Sequence, residues 1–264
     1  MKTKKKLPII IFSVLLLLIA AAVGALQFTD WGYILTIPYR PSFEEIGHNV
    51  YLHKADSLTP EDVRAVTDRA EERVKAFFGD MHSLDETIVI ICDDEKISKK
   101  IGDKVTHTFL WPSRRDYICL SNEYFNVDIV AHEFTHAELH WYLSDEARKS
   151  LPLWFDEGMA TQNDYRERYS YESWVERTDN GANVTALKDM DEHSEFHCKD
   201  EKERQFHYIC AKHEIAGWLD GHSTEEMIVF IKSLNDGGDF YTLYDNFKTS
   251  RDKSHDTGHG RVGR

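Results

Sequence analysis

From Asn126 to Leu143 the chain runs without a proline or glycine, and inside that run two histidines stand four residues apart, in His132-Glu133-Phe134-Thr135-His136. Ile129, Val130, Phe134, Ala137 and Trp141 recur at roughly helical spacing, and Asn126 or Asp128 can cap the start, so the run predicts a helix. Four residues along a helix return to the same face about 6 Å further on, where two imidazoles can share one zinc ion. Glu133, next to the first histidine, is positioned to activate a water beside that metal. The fold is constrained accordingly: a largely apolar helix carries polar rings on one face, and another element has to meet them. With 14 histidines in the chain, five residues are a short signal, and the surrounding sequence carries the argument.

His140 does not supply the third ligand, because eight residues of helix put it about 12 Å beyond His132. It reads as structural or solvent-facing. The segment Leu151-Pro152-Leu153-Trp154-Phe155-Asp156-Glu157-Gly158-Met159-Ala160-Thr161 offers Glu157 instead. Ser150 can cap a second helix with Pro152 in its first turn, and a loop from Ser144 to Leu151 lets that helix fold back. Gly158 removes a side chain where two helices would approach closely around the metal.

Taken together, HEFTH and, after a spacer of twenty residues, Glu157 in LPLWFDEGMAT resemble the gluzincin zinc peptidases, above all their aminopeptidase-type and peptidase-MA-like branch. That branch has HExxH, a spacer near twenty residues, then Trp-x-x-Glu-Gly-x-Ala, matched here by Trp154, Glu157, Gly158 and Ala160. The resemblance implies one zinc ion per chain bound by His132, His136 and Glu157, with Glu133 as general base and proton shuttle, acting on a peptide or protein substrate. The metzincin pattern is absent, since it needs a glycine turn and a histidine where Tyr142 stands. Peptidases of this kind also need a donor for the oxyanion of the transition state. Tyr208 and His207, in the helix-like run Gln205 to Leu219, are the candidates, and the resemblance favours Tyr208. The Gly-x-Met-Glu-Asn-like motif of the aminopeptidases has no match between Phe109 and Phe125, so aminopeptidase activity has no support. His213-Glu214 is not a second HExxH, because Gly217 occupies the ligand position, and it reads as a solvated helix face.

The amino terminus sets a second expectation. Met1 to Lys6 is rich in lysine, and Leu7 to Leu26 follows without a charge, long enough for a bilayer-spanning helix over residues 7–26. The positive-inside rule puts the catalytic part outside the cytoplasm, anchored by a single pass, or secreted if the small residues from Ala20 to Ala25 mark a cleavage site. Cys92, Cys119, Cys198 and Cys210 allow three full disulfide pairings. Cys92 and Cys119 read as reduced core residues or a cross-strand bridge, and Cys198 and Cys210 flank a charged stretch that a disulfide could restrain. No Cys-x-x-Cys occurs, which argues against a thiol-ligated zinc site.

The fold class expected is α+β, a zincin-like two-lobed domain behind the transmembrane helix. Residues 1–27 form the anchor or signal and residues 28–48 a stalk. Residues 49–249 form the catalytic domain, with a sheet-and-helix lobe over 49–125 and a mainly helical lobe over 126–249. Residues 250–264 form a disordered tail in which His255 and His259 lack a helical setting. Within the first lobe, Asn49–His53 predicts a strand and Thr59 caps a helix running to Gly79. Glu86–Cys92 and Tyr117–Leu120 predict two more strands. By the resemblance, zinc sits in a cleft between lobes, and Tyr117–Leu120 is the edge strand to which an extended substrate adds. The stretch from Asp164 to Glu203 reads as a solvated excursion or, as the alternative, a segment that shapes specificity, with a glycosylation-type triplet at Asn183-Val184-Thr185.

A formal charge of −14, with no concentrated basic face, excludes nucleic acid as an expected partner. Two function classes remain: a zinc metallopeptidase, or a catalytically silent binding module on the same scaffold. Retention of Glu133 favours the first, because a purely structural metal has no need of a base.

Overall fold

The computed structural model describes residues 6–102, 104–110, 113–191 and 193–256. The chain forms two compact units, Met1–Arg64 with Leu84–Phe125 and Ala65–Ser83 with Asn126–Arg264. The second lobe was expected to begin at residue 126, and the second unit does resume there. It also takes residues 65–83, which corrects the expected first lobe over 49–125.

Helices α1 (Lys6–Phe28), α2 (Asp30–Leu35), α3 (Pro60–Phe78) and α4 (Glu95–Ile101) accompany strands β1 (Phe43–Gly47), β2 (Val50–His53), β3 (Thr87–Ile91), β4 (Val105–Leu110) and β5 (Arg115–Leu120). The strands form one sheet in the order β1-β2-β3-β5-β4, within the first unit. β3 has parallel neighbours on both sides and is buried throughout, which is why Thr87 to Ile91 reads as a nearly unbroken apolar run. Its register, Ile88 opposite Tyr117 and Ile90 opposite Cys119, puts these four on the face that packs with Ile34, Ile37, Phe43, Tyr51 and Ile101.

Three expectations for this unit are corrected. Tyr117–Leu120 is not an edge: β5 lies between β3 and β4, and the edges are β1 and β4. Residues 28–48 are not a stalk, because they hold α2 and β1 and send Ile34, Ile37 and Phe43 into the core. Finally, among the described residues no helix is long and apolar enough to cross a membrane. The fold is therefore α+β, mostly helical with one five-stranded sheet, and the expected transmembrane element does not stand.

The second unit is helical: α3 from Ala65 onward, then α5 (Val127–Trp141), α6 (Asp145–Ser150), α7 (Leu153–Gln162), α8 (Tyr171–Thr178), α9 (His193–Phe196), α10 (Glu201–Leu219), α11 (Thr224–Ser233) and α12 (Phe240–Asp256). The expected loop from Ser144 to Leu151 is mostly α6. Ser144 caps it, Ser150 ends it, and Pro152 rather than Ser150 opens α7. The start of α7 is held by aromatic packing. Phe155 meets Trp218 edge-on at 5.4 Å between ring centroids, and Trp154 meets Tyr244 at 5.5 Å. α12 extends to Asp256, so residues 250–256 are helical where a disordered tail was expected, and His259 lies outside the described residues. His213-Glu214 is no solvated face either. The His213 ring stacks on Trp174 at 3.5 Å, and Glu214 accepts from Tyr244 at 2.8 Å and Lys248 at 2.7 Å.

Candidate metal centre

α5 starts where the sequence allows it to start, at Asn126, whose side chain accepts from the Ile129 amide at 3.1 Å. Asp128, the other candidate cap, instead pairs with Arg73 at 2.7 Å. Arg73 also donates to the Asn163 carbonyl at 2.7 Å, and the Asn163 amide donates to Thr135 Oγ1 at 2.8 Å. These bonds tie the end of α7 to the middle of α5. On its other side α7 packs on α10, where Gln162 donates to the Lys212 carbonyl at 2.9 Å. The close approach runs through Gly158: a Cβ there would stand 2.7 Å from Ile215 Cγ1 and 2.9 Å from the Ala211 carbonyl oxygen. One residue earlier, Glu157 is thereby held facing α5.

His132, His136 and Glu157 are all buried and offer one ligand atom each within a single group, which lies wholly in the second unit. The two Nε2 atoms are 3.2 Å apart, and Glu157 Oε2 is 3.2 Å from His132 Nε2 and 3.4 Å from His136 Nε2. Ligands at about 2.0–2.1 Å around a tetrahedral zinc stand about 3.3–3.4 Å from one another, so the triangle already has the dimensions of three zinc ligands. Glu157 Oε2 is buried with no hydrogen-bond partner among the described residues. A buried carboxylate oxygen left that way is costly, and a cation at the centre of the triangle would satisfy it.

A second ring of side chains orients these three. Asp156 accepts from His136 Nδ1 at 2.7 Å and from His140 Nε2 at 2.8 Å, a carboxylate behind a candidate ligand that fixes its tautomer. Behind His132, Asp164 approaches Nδ1 to 3.9 Å and is itself paired with Arg166. The other oxygen of Glu157, Oε1, accepts from His197 Nε2 at 3.0 Å, and that nitrogen also stands 3.0 Å from the Tyr208 hydroxyl. Burial opposes ionisation of Glu157, but His136, His132 and His197 outweigh it and hold its carboxyl well below the usual range. Burial likewise opposes a charged His136, and Asp156 and Glu157 overcome it to raise that imidazole well above its ordinary pKa. The centre therefore concentrates negative charge among imidazoles, as a cation site does.

Tyr208 reaches this centre from α10. Its hydroxyl pKa stands well above the ordinary value, first because it is buried, then because the Glu157, Tyr169 and Glu133 side chains disfavour a phenolate. Tyr208 thus stays a neutral donor at neutral pH. Glu133, on α5 beside His132, is buried and close enough for its charge to act on that hydroxyl. The other oxyanion candidate, His207, is turned away, its Nδ1 donating to the Phe196 carbonyl at 2.9 Å.

The structure thus brings His132, His136 and Glu157 together with Glu133 and Tyr208 nearby, and leaves His207 out. Three contributors went unread. Asp156 stood inside the segment that supplied Glu157. His140 reads from the sequence as structural or solvent-facing, and its contact with Asp156 carries no sequence signal. His197 comes from the stretch read as a solvated excursion. A histidine beside the four-residue helix α9 gives no periodic signal that would mark it. The cysteines form no disulfide; Cys92, Cys119 and Cys210 are buried thiols, and burial pushes Cys92 up to about 11. No family model matches the chain, and neither a curated protein nor a solved structure matches it.

Proposed function

We propose that the second unit is a zinc-dependent peptidase of gluzincin type, with zinc held by His132, His136 and Glu157. The observation that carries the reading is the ligand triangle with the unpartnered Glu157 Oε2 at its apex, flanked by a buried carboxylate, Glu133, and a neutral phenol, Tyr208. Zinc in that position supplies Lewis acidity for hydrolysis of a peptide carbonyl. Glu133 takes a proton from the attacking water and passes it to the leaving nitrogen. Tyr208 donates its hydroxyl hydrogen to the oxygen on which charge develops, and His197 orients that hydroxyl through the 3.0 Å contact. Asp156 keeps the His136 Nε2 lone pair directed inward by holding the proton on Nδ1. The lysine-led apolar amino terminus supports export, with the mature protein secreted after removal of that segment. Mass analysis of the protein recovered from the medium checks it, and an intact amino terminus there would refute the cleavage.

The test of the activity is metal analysis together with cleavage of a peptide library by the full chain and two variants. Glu133→Gln is expected to keep zinc and to lose about 10²–10⁴-fold in kcat/KM. Glu157→Ala is expected to lose most of both. Metal-free wild-type protein would rule out the zinc reading, and metal-loaded protein inert toward every peptide would favour the silent binding module.

A further inference from the structure

Among the described residues, and apart from the set His132, His136, His140, Asp156 and Glu157, one other group of side chains has the chemistry of a metal site. Cys198, Glu203 and His207 each present a ligand atom within 4.8 Å of the other two. Glu203 and His207 are four apart on α10, so they share a face, and Cys198 lies just before Asp200, the residue that caps the helix. His207 is buried, and its Nδ1 donates to the Phe196 carbonyl at 2.9 Å. A carbonyl can only accept, so Nδ1 carries the proton and Nε2 keeps the lone pair. A backbone carbonyl holding one ring nitrogen is the arrangement found behind metal-ligating histidines.

We propose that Cys198, Glu203 and His207 form a second metal site, for zinc or a divalent cation of similar softness. Thiolate, carboxylate and imidazole together suit such an ion and balance its charge, two negative ligands and one neutral. On binding, the Cys198 thiol gives its proton to solvent and exchanges its present 3.4 Å contact with the Asp200 carbonyl for a metal bond. Ligand atoms around a tetrahedral ion stand about 3.3–3.8 Å apart, so the group closes by about an ångström, through the exposed Glu203 and partly exposed Cys198. His197 and Cys198 are adjacent, as are His207 and Tyr208. The second metal would clamp the His197 segment to α10 and so keep His197 against Tyr208. That consequence for turnover rests on the peptidase reading, whereas the site itself does not.

The first centre has no sulfur ligand, which gives the second one its own signature. The full chain is loaded with zinc for metal analysis, and in parallel with cobalt(II) for absorption spectroscopy. About two zinc ions per chain and a sulfur-to-cobalt charge-transfer band in the near ultraviolet are expected. Cys198→Ser is expected to abolish the band and lower the zinc content by about one. Glu203→Gln, at an exposed position that does not threaten folding, is expected to weaken binding of that ion about 10-fold or more. His132→Ala with His136→Ala is expected to remove the other ion and leave the band. A cobalt-loaded wild-type protein without the band, or a band that survives Cys198→Ser, overturns the second site and leaves the first untouched.

Discussion

Asp156 joins His136 and His140 through its two carboxylate oxygens, at 2.7 and 2.8 Å, and so decides which nitrogen of His136 faces His132 and Glu157. Replacing it with Asn keeps the shape but lets the amide present a donor where the ring needs an acceptor. Asp156→Asn is expected to weaken zinc binding by about 10–100-fold, measured by competition with a chelating dye. Unchanged affinity would mean that His136 is oriented by packing alone. In the proposed mechanism Tyr208 acts at another stage, after the metal is bound. Tyr208→Phe is expected to keep zinc and to lower kcat by about 10²–10³-fold, because only the hydroxyl hydrogen is lost. His132, Glu133, His136 and Glu157 were legible because their spacing along predicted helices is itself the signal. Asp156, His140 and His197 were not, because each works through a partner 16 to 40 residues away in the chain.

At the scale of elements, α7 depends on how closely α10 can approach it. Gly158→Ala would drive a methyl group to 2.9 Å from the backbone oxygen of Ala211, which cannot rotate away as a side-chain end could. We expect a loss of about 1–3 kcal/mol, read as a lower denaturant midpoint, with weakened zinc affinity as Glu157 shifts with its helix. α10 is also tied to α12 through Glu214. Burial disfavours its charge, but Lys248 and Tyr244 outweigh that and bring its pKa below the ordinary 4.5. The folded-state pKa being the lower, this contribution to stability is present above pH 4.5 and fades as the pH falls through the folded value. Glu214→Gln is therefore expected to flatten the acid limb of a stability-against-pH curve, and an unchanged limb would count against the Lys248 pairing. Among the strands, Glu86–Cys92 was legible because β3 is covered on both faces. Val105–Leu110 was not: half-buried throughout at an edge, it alternates Val, Thr, His, Thr, Phe and Leu without a clear apolar period.

For the whole molecule, all three proposed ligands of the first centre belong to one of the two units, so metal binding is expected to be felt there first. With zinc at about 1,000 times its dissociation constant, linkage adds about 4 kcal/mol to the folded state. Chelation is accordingly expected to speed amide hydrogen exchange in α5, α7 and α10 and to leave the strands of the sheet unchanged. Equal loss of protection in both units would show that they unfold as one. What the sequence determined by itself is local: the α5 helix and its cap, the buried β3, the ligand spacing on one helix face and the need for a glycine beside Glu157. These follow from period, propensity and steric size, which neighbouring residues carry. Only the tertiary structure decided that residues 28–48 fold into the first unit, that β5 is interior, and that residues 65–83 join the helices. It also decided that Asp156 and His197 stand around His132, His136 and Glu157. Such outcomes depend on which distant surfaces bury one another, and burial between segments far apart in the chain leaves no periodic trace in either.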